Sequence, residues 1–136
     1  GLSGFVNLFT IQAQEERDHA MLFLEYLQNN GAQVELKTVE APKKKFKEFK
    51  DPLDESLKHE RYVTASIHNI YAAASKVKDF RTMQFLDWFV KEQGEEEKTA
   101  EDLIKKLELF GQDGKGLYML DSELAARTYS APTLTL

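Results

Sequence analysis

The sequence between residues 3 and 29 reads SGFVNLFTIQAQEERDHAMLFLEYLQN, and its apolar residues recur at helical spacing. Such a period is typical of an α-helix with one buried face, so we predict a helix over 3–29. The buried face is apolar at both ends, but Glu16 and His19 interrupt it in the middle, where a core residue should lie. Polar residues on a core-facing stripe require a partner that compensates their burial.

Three more helices follow from the same period. We predict them over 52–78, 80–109 and 117–128, with an irregular tail over 129–136. Residues 31–50 lose the helical period, and no second strand is available to pair with them. We therefore predict that they form an extended crossover between opposite ends of a helical bundle. The expected fold is all-α, with one domain over 1–128.

The ends of these helices carry recognisable signals. Ser3, Asp51 and Asp79 are residue types that cap helix N-termini, and a proline follows Asp51. Gly31 and Gly111 are residue types that end helices.

The composition excludes several classes of protein. The chain has 136 residues with 18 Lys and Arg against 23 Asp and Glu, a formal net charge of −5. An acidic domain is a poor candidate for binding nucleic acid or an anionic membrane, so we expect neither partner. The absence of cysteine excludes disulfides, thiol catalysis and cysteine-ligated metals. No apolar stretch is long enough to span a bilayer.

Polar residues also interrupt the apolar stripes of the other long helices. Glu60 lies on the stripe of the second helix, and Gln93 and Glu96 lie on that of the third. Burying a carboxylate without a partner costs several kcal/mol, and several buried carboxylates would repel one another. A bound cation resolves both problems. Carboxylate oxygens with one imidazole suit Fe(II), Mn(II) or Zn(II), and Glu16 can supply the bridge that two metals need.

A second acidic group flanks the first one. It consists of Glu15, Glu92 and Glu95. These residues could hold a further cation, or they could form an acidic flank that faces solvent. His59 and His68 lie off the apolar stripe of the second helix, so we expect them on the surface. We expect Tyr62 and Trp88 to pack at the edges of the stripes of their helices.

At these residues the chain resembles bacterial non-haem ferritins. The similarity runs through QEERDHA at 14–20, His59-Glu60, FLDWFVKEQGEEE at 85–97 and GLYMLD at 116–121. It covers nearly the whole chain in order. The resemblance implies a four-helix bundle with one long crossover and a short C-terminal helix that lines a channel between subunits.

The resemblance also implies a role for each polar residue. Glu16 would bridge two irons, His19 would bind the first iron, and Glu60 would bind the second. Glu96 would lie beside the second iron, with Gln93 oriented toward the site. A third iron site would be formed by Glu15, Glu92 and Glu95, and it could share Glu96 with the second iron.

Two positions separate this chain from related families. Many di-iron bundles carry a second Glu-x-x-His, and here Gln93-x-x-Glu96 stands in that place, which argues against bacterioferritin and rubrerythrin. Arg17 follows the bridging glutamate where a haem-binding bacterioferritin would have methionine. We therefore expect iron but no haem.

The implied function is a ferroxidase that oxidises Fe(II) with O2 and stores ferric mineral. The family assembles into a hollow homo-oligomeric cage of about 24 subunits, and a cytoplasmic location is expected. Ferritins also begin with a helix that supplies another iron-binding glutamate, and no residue here matches it. We therefore expect that this first helix is missing through truncation, proteolysis or design. Its absence would expose a flank with Phe5, Phe9 and Phe23 and would impair oxidation.

Other functions remain open from the sequence. One is a truncated or engineered ferritin cage that serves as a scaffold with little or no ferroxidase activity. A second is another di-metal carboxylate oxidase, although the sequence offers no surplus of polar residues to line a substrate pocket. The third is a helical adaptor without a metal.

Overall fold

The structure, a computed structural model, describes residues 1–42 and 45–136. Its helices in chain order are α1 (Ser3–Asn29), α2 (Asp51–Val77), α3 (Phe80–Phe110) and α4 (Gly114–Ala125). The described residues contain no strand, so the all-α prediction is confirmed. None of the described helices is long and apolar enough to cross a bilayer.

The helices form two compact units. The first contains Gly1–Lys43 and Phe110–Leu136, and the second contains Lys44–Leu109. The expectation of one domain over 1–128 stays a prediction.

In the first unit, α4 packs against the start of α1. The Asp121 Oδ1 atom accepts hydrogen bonds from the backbone N–H groups of Gly4 at 2.8 Å and Phe5 at 3.1 Å. In return, the Asn7 side-chain amide donates to the carbonyl oxygen of Arg127, just beyond the end of α4, at 2.9 Å. Each helix thus satisfies backbone groups that the other leaves unpaired at its end.

This arrangement corrects the predicted cap of α1. Leu2 occupies the N-cap position and makes no side-chain cap hydrogen bond, so the assignment of Ser3 as the cap is wrong. The acceptor comes instead from Asp121, on another helix. A Cβ atom at Gly4 would lie 1.8 Å from the Asp121 carbonyl oxygen. Only glycine therefore allows α1 and α4 to approach this closely.

The same contact changes the expected exposed flank of α1. Phe5 is only 8% exposed, and Phe9 and Phe23 are half-buried. The prediction of exposure is wrong for Phe5 because α4, with its buried Leu120 and Leu124, packs at this end of α1.

In the second unit, α2 and α3 run antiparallel. Lys50 Nζ donates to Glu108 Oε1 at 2.6 Å near one end, and Tyr71 Oη donates to Asp87 Oδ1 at 3.0 Å near the other. A residue later in the chain near α2 thus pairs with an earlier residue of α3, so the two helices run antiparallel, as in a helical hairpin. The Asp87 carboxylate also raises the pKa of Tyr71 through this hydrogen bond.

The long helices start and end within one residue of the predictions, but α2 is not capped as expected. Asp51 is its first residue and not its N-cap. The Asp51 Oδ2 atom accepts from the backbone N–H groups of Lys47 at 2.8 Å and Glu48 at 3.2 Å. These bonds lower the pKa of Asp51, chiefly through the bond from Lys47. Asp51 therefore fixes the turn that leads into the helix.

The fourth helix lies earlier than predicted, at Gly114–Ala125 and not at 117–128. The Asp113 side chain caps it by accepting from the backbone N–H groups of Lys115 at 2.9 Å and Gly116 at 2.8 Å. Gly114 and Gly116 have low helix propensity, so the sequence pattern predicts a start that is too late. An aspartate cap outweighs their low helix propensity over one turn.

The predicted crossover has no regular structure over 32–42 and 45–47. The crossover contains a run of three lysines at 43–45, of which Lys43 and Lys44 lie outside the described residues. α1 ends before it at Asn29, and Gly31, two residues later, has a φ of 68° in the left-handed region that favours glycine. Gly31 is therefore a helix-ending signal, as predicted.

The turn between α2 and α3 also contains a residue with a positive φ, but here the residue is a lysine and not a glycine. Lys78 has a φ of 59°, and its backbone N–H donates to the Ser75 carbonyl oxygen at 3.1 Å. The next N–H, that of Asp79, donates to the Ala74 carbonyl oxygen at 2.9 Å. Asp79 Oδ1 then accepts from the Thr82 N–H at 3.1 Å, which confirms Asp79 as a helix cap.

We predict that Lys78→Gly stabilises the protein by about 0.5–1 kcal/mol, because glycine adopts a positive φ without the steric cost of a Cβ atom. The measurement is the free energy of unfolding in urea. Lys76→Gly is the matched control, because Lys76 lies in the last turn of α2 and should lose about 1 kcal/mol. Equal destabilisation by both substitutions would contradict the role of the left-handed turn.

Candidate metal centre

In the first unit, α1 places Glu16 and His19 on one face, since residues three apart are neighbours on a helix. Glu16 Oε2 lies 3.7 Å from His19 Nδ1. His19 is 9% exposed, whereas the Glu16 side chain is 48% exposed and therefore more accessible than its position on the stripe predicts. An imidazole beside an accessible carboxylate offers one nitrogen and one oxygen donor to a metal ion.

In the second unit, Glu60 and Gln93 form a buried pair. Glu60 is 5% exposed and Gln93 is 3% exposed. The Gln93 Nε2 amide donates to the Glu60 carbonyl oxygen and to Glu60 Oε2, both at 3.2 Å. The amide thus fixes the orientation of the carboxylate through one of its oxygens and does not use the other, Oε1, in this bond.

The pair extends into a network that sequence reasoning missed. Gln93 Nε2 also lies 3.4 Å from Thr64 Oγ1, and that hydroxyl donates to Glu97 Oε1 at 2.6 Å. Arg61 approaches the other oxygen of Glu97 at 3.9 Å. The available signal was spacing, because Thr64 follows Glu60 by one turn and shares its face. The network adds fixed hydrogen bonds around the buried carboxylate.

The remaining acidic residues of α3 differ in exposure. Glu96 and Glu92 are half-buried. Glu95 is exposed, and its Oε1 lies 3.5 Å from Lys91 Nζ one turn earlier. Exposed pairs of this kind contribute little to stability, so Lys91 does not fix Glu95 firmly.

Glu15, on α1, has a basic partner that was not expected. Arg127 donates from its guanidinium to Glu15 Oε2 at 2.9 Å, and the two side chains are 26% and 16% exposed. The residues are 112 positions apart. No local sequence signal joins them, and the fourth helix predicted over 117–128 includes Arg127, which lies beyond the observed end of α4 at Ala125.

Neither unit, over the residues that the structure describes, gathers three His, Asp or Glu side chains that could hold a metal ion. The first unit contributes an imidazole with a carboxylate, and the second contributes a carboxylate held by an amide. Each is a partial set of ligands for a hard or borderline metal ion.

The residues beside the stripes fall into two groups. Both off-stripe histidines, His59 and His68, are exposed as predicted. Trp88 is half-buried and packs edge-on against Phe89, with ring centroids 4.9 Å apart. Tyr62 is 69% exposed, so its prediction as a packing residue is wrong. It follows the buried Glu60 by two positions, which turns it to the other side of α2.

We predict that Gln93→Leu destabilises the protein by about 1–3 kcal/mol, because it removes the amide from a buried carboxylate and a buried carbonyl oxygen. Urea unfolding measures the change. Gln84→Leu on the exposed side of α3 is the matched control and should stay within about 0.5 kcal/mol of the parent. Equal stability of the two variants would show that the pair contributes nothing.

Comparison with known proteins shows the family to which the chain is similar. The model of the ferritin-like domain matches residues 1–110. A bacterial non-haem ferritin of Staphylococcus haemolyticus is 40% identical over 126 residues, which cover 93% of this chain and 76% of the relative. A bacterial non-haem ferritin of Staphylococcus aureus has the same identity and coverage.

Solved ferritin structures are also similar to this chain. An engineered closed form of the Archaeoglobus fulgidus ferritin matches with a TM-score of 0.92 and 39% identity, over 96% of this chain and 79% of that one. An open-pore ferritin of the same archaeon matches with a TM-score of 0.91 and 40% identity, over 94% and 79%. These matches give no support to the expectation of truncation or of a missing first helix. The chain belongs to the ferritin family of iron-storage proteins.

Proposed function

We propose that this ferritin oxidises Fe(II) with O2 at a di-iron site and stores the ferric product. The observation that supports the proposal most strongly is the buried Glu60 carboxylate, oriented by the Gln93 amide at 3.2 Å within a ferritin chain. A buried carboxylate is most stable when a positive charge compensates it, and a bound iron ion would supply two positive charges.

The proposed ligands divide by role. Glu16 bridges the two irons, His19 binds the first, and Glu60 binds the second. Gln93 holds the Glu60 carboxylate in place, and Glu96, one turn after Gln93, lies toward the second iron. Carboxylate oxygens are hard ligands that favour Fe(III) over Fe(II), so this set promotes the transfer of an electron from each Fe(II) to O2.

A third iron site is proposed for Glu15, Glu92, Glu95 and Glu96. The half-buried carboxylates of Glu15 and Glu92 support it, since hard oxygen ligands with partial desolvation bind cations better than fully solvated ones. We expect no haem, because Arg17 stands where a haem ligand would be required.

We predict that Glu16→Ala, His19→Ala and Glu60→Ala each slow aerobic Fe(II) oxidation at least about tenfold, because each removes a ligand of the di-iron site. The rate is followed by ferric absorbance after Fe(II) is mixed with air-saturated protein. Glu25→Ala, an exposed glutamate on the same helix as Glu16, is the control and should oxidise at the parent rate. Unchanged rates in all three ligand variants would refute the site.

Storage requires a closed shell, and we propose a homo-oligomeric cage of about 24 copies in the cytoplasm. Exposed apolar residues on α4 support self-association, because Tyr118 is 72% exposed and Met119 is 62% exposed. Contiguous exposed apolar side chains are typical of subunit interfaces. The elution volume of the samples used for oxidation gives the particle size.

The second candidate is a ferritin cage with impaired or absent ferroxidase activity. It is favoured by the exposure of the Glu16 side chain, 48%, since an accessible bridging ligand is held less rigidly than the buried Glu60. A cage-sized particle whose slow oxidation is unaffected by Glu16→Ala would select this candidate. A cage with fast oxidation that depends on Glu16 would select the first.

A further inference from the structure

The end of α1 places an asparagine directly before a glycine, an order that favours an intramolecular reaction. Asn30 follows the last helical residue, Gly31 follows Asn30, and both are exposed to solvent. The backbone nitrogen of Gly31 can attack the side-chain carbonyl carbon of Asn30, Cγ, because a bond between these two atoms closes a five-membered ring. Glycine has no Cβ atom to obstruct this approach. The other asparagines of the chain, Asn7, Asn29 and Asn69, are each followed by a residue that has a Cβ atom.

The hydrogen bonds at this helix end hold the attacking nitrogen in place. The Gly31 N–H donates to the Gln28 carbonyl oxygen at 3.0 Å, and the next N–H, that of Ala32, donates to the Leu27 carbonyl oxygen at 2.9 Å. This pair of bonds is the Schellman arrangement, in which a residue of positive φ satisfies the last carbonyl groups of a helix. The Gly31 nitrogen can move toward Asn30 only after its bond in this arrangement breaks.

The asparagine is held as well. The Asn30 Nδ2 atom donates to the Tyr26 carbonyl oxygen at 2.8 Å, which draws the side-chain amide back toward the helix. Asn30 has a ψ of 9°, so the Gly31 nitrogen lies on the same side of the Cα–C bond as the Asn30 nitrogen and is turned away from Cβ. Ring closure requires the Gly31 nitrogen on the side of Cβ and Cγ. The folded helix end therefore protects a sequence that is reactive in an open chain.

We propose that Asn30 is a site of spontaneous deamidation and that opening of the last turn of α1 controls its rate. In this reaction the Gly31 nitrogen forms a bond to Asn30 Cγ, and the Cγ–Nδ2 bond breaks. Ammonia leaves with the proton that the Gly31 nitrogen loses. Water then hydrolyses the cyclic imide at either of its carbonyl groups, which gives aspartate or isoaspartate. The reaction consumes only water and needs no oxidant, reductant or cofactor.

The product weakens the helix end that protected the asparagine. Either product adds a carboxylate at the C-terminal end of α1, where the helix dipole is already negative. The carboxylate also has no N–H to donate to the Tyr26 carbonyl oxygen. Isoaspartate in addition lengthens the main chain before Gly31, so the Schellman bonds lose their register. The change is irreversible, and it therefore marks chains in which this helix end has opened.

The test is peptide mapping by mass spectrometry during incubation of the assembled protein at mildly alkaline pH, with and without unfolding in guanidinium chloride. Among the asparagines, Asn30 should convert first under both conditions. Its conversion in the folded protein should be at least about tenfold slower than in the unfolded chain, because only the open fraction of the native protein can react. In denaturant, Gly31→Ala should slow the conversion several-fold, since its Cβ atom obstructs the attack.

Gln28→Gly tests the control by the helix end without changing either reacting residue. Gln28 is exposed in the last turn of α1, and the low helix propensity of glycine should speed conversion of Asn30 in the folded protein about threefold or more. In denaturant this variant should convert at the parent rate. Gln84→Gly, the same change at an exposed position of α3, is the matched control and should convert at the parent rate in the folded protein.

Two results would overturn control by the helix end: a folded protein that converts as fast as the unfolded chain, or equal rates in folded Gln28→Gly and Gln84→Gly. Two others would overturn the site itself. One is conversion of another asparagine before Asn30, and the other is an Asn30 that stays an amide in the unfolded chain.

Discussion

The burial of the Glu60 carboxylate is the constraint on which the account of this protein depends. A carboxylate that is 5% exposed is costly, and the Gln93 amide offsets only part of that cost because it is neutral. Thr64, Glu97 and Arg61 continue the network outward and hold the pair in one geometry. For stability alone, well-packed apolar residues in place of the pair would serve a helical hairpin at least as well. We propose that a cation bound by this carboxylate accounts for its presence in a ferritin chain.

The first unit satisfies a different requirement, the unpaired backbone groups at the ends of two helices. Asp121 accepts from the start of α1, and Asn7 donates to the carbonyl oxygen beyond α4. The close approach at Gly4 allows this exchange. It also fixes the residues after α4, so that Arg127 reaches Glu15. A backbone requirement at one end of a helix thereby influences the electrostatics of a carboxylate several turns away.

The sequence predicted the helices well because apolar spacing and end signals are local. α1 and the polar residues on the three stripes follow from the period alone, and Gly31 and Asp79 act at helix ends as expected. Long-range partners could not be predicted. Nothing in the sequence near Ser3 indicates that Asp121 accepts the hydrogen bonds at the start of α1. Nothing near Glu15 indicates that Arg127 forms an ion pair with it. Periodicity also cannot say how deeply a stripe is covered, which is why Glu60 is buried while Glu16 is half exposed. The assignment of individual iron ligands stays a prediction.

The most direct test of the central claim is anomalous diffraction at the iron absorption edge from crystals loaded anaerobically with Fe(II). The account predicts two neighbouring iron peaks, one within bonding distance of His19 and the other of Glu60, with the Glu16 carboxylate contacting both. Iron bound only at exposed carboxylates such as Glu95, with no peak at Glu60, would contradict it.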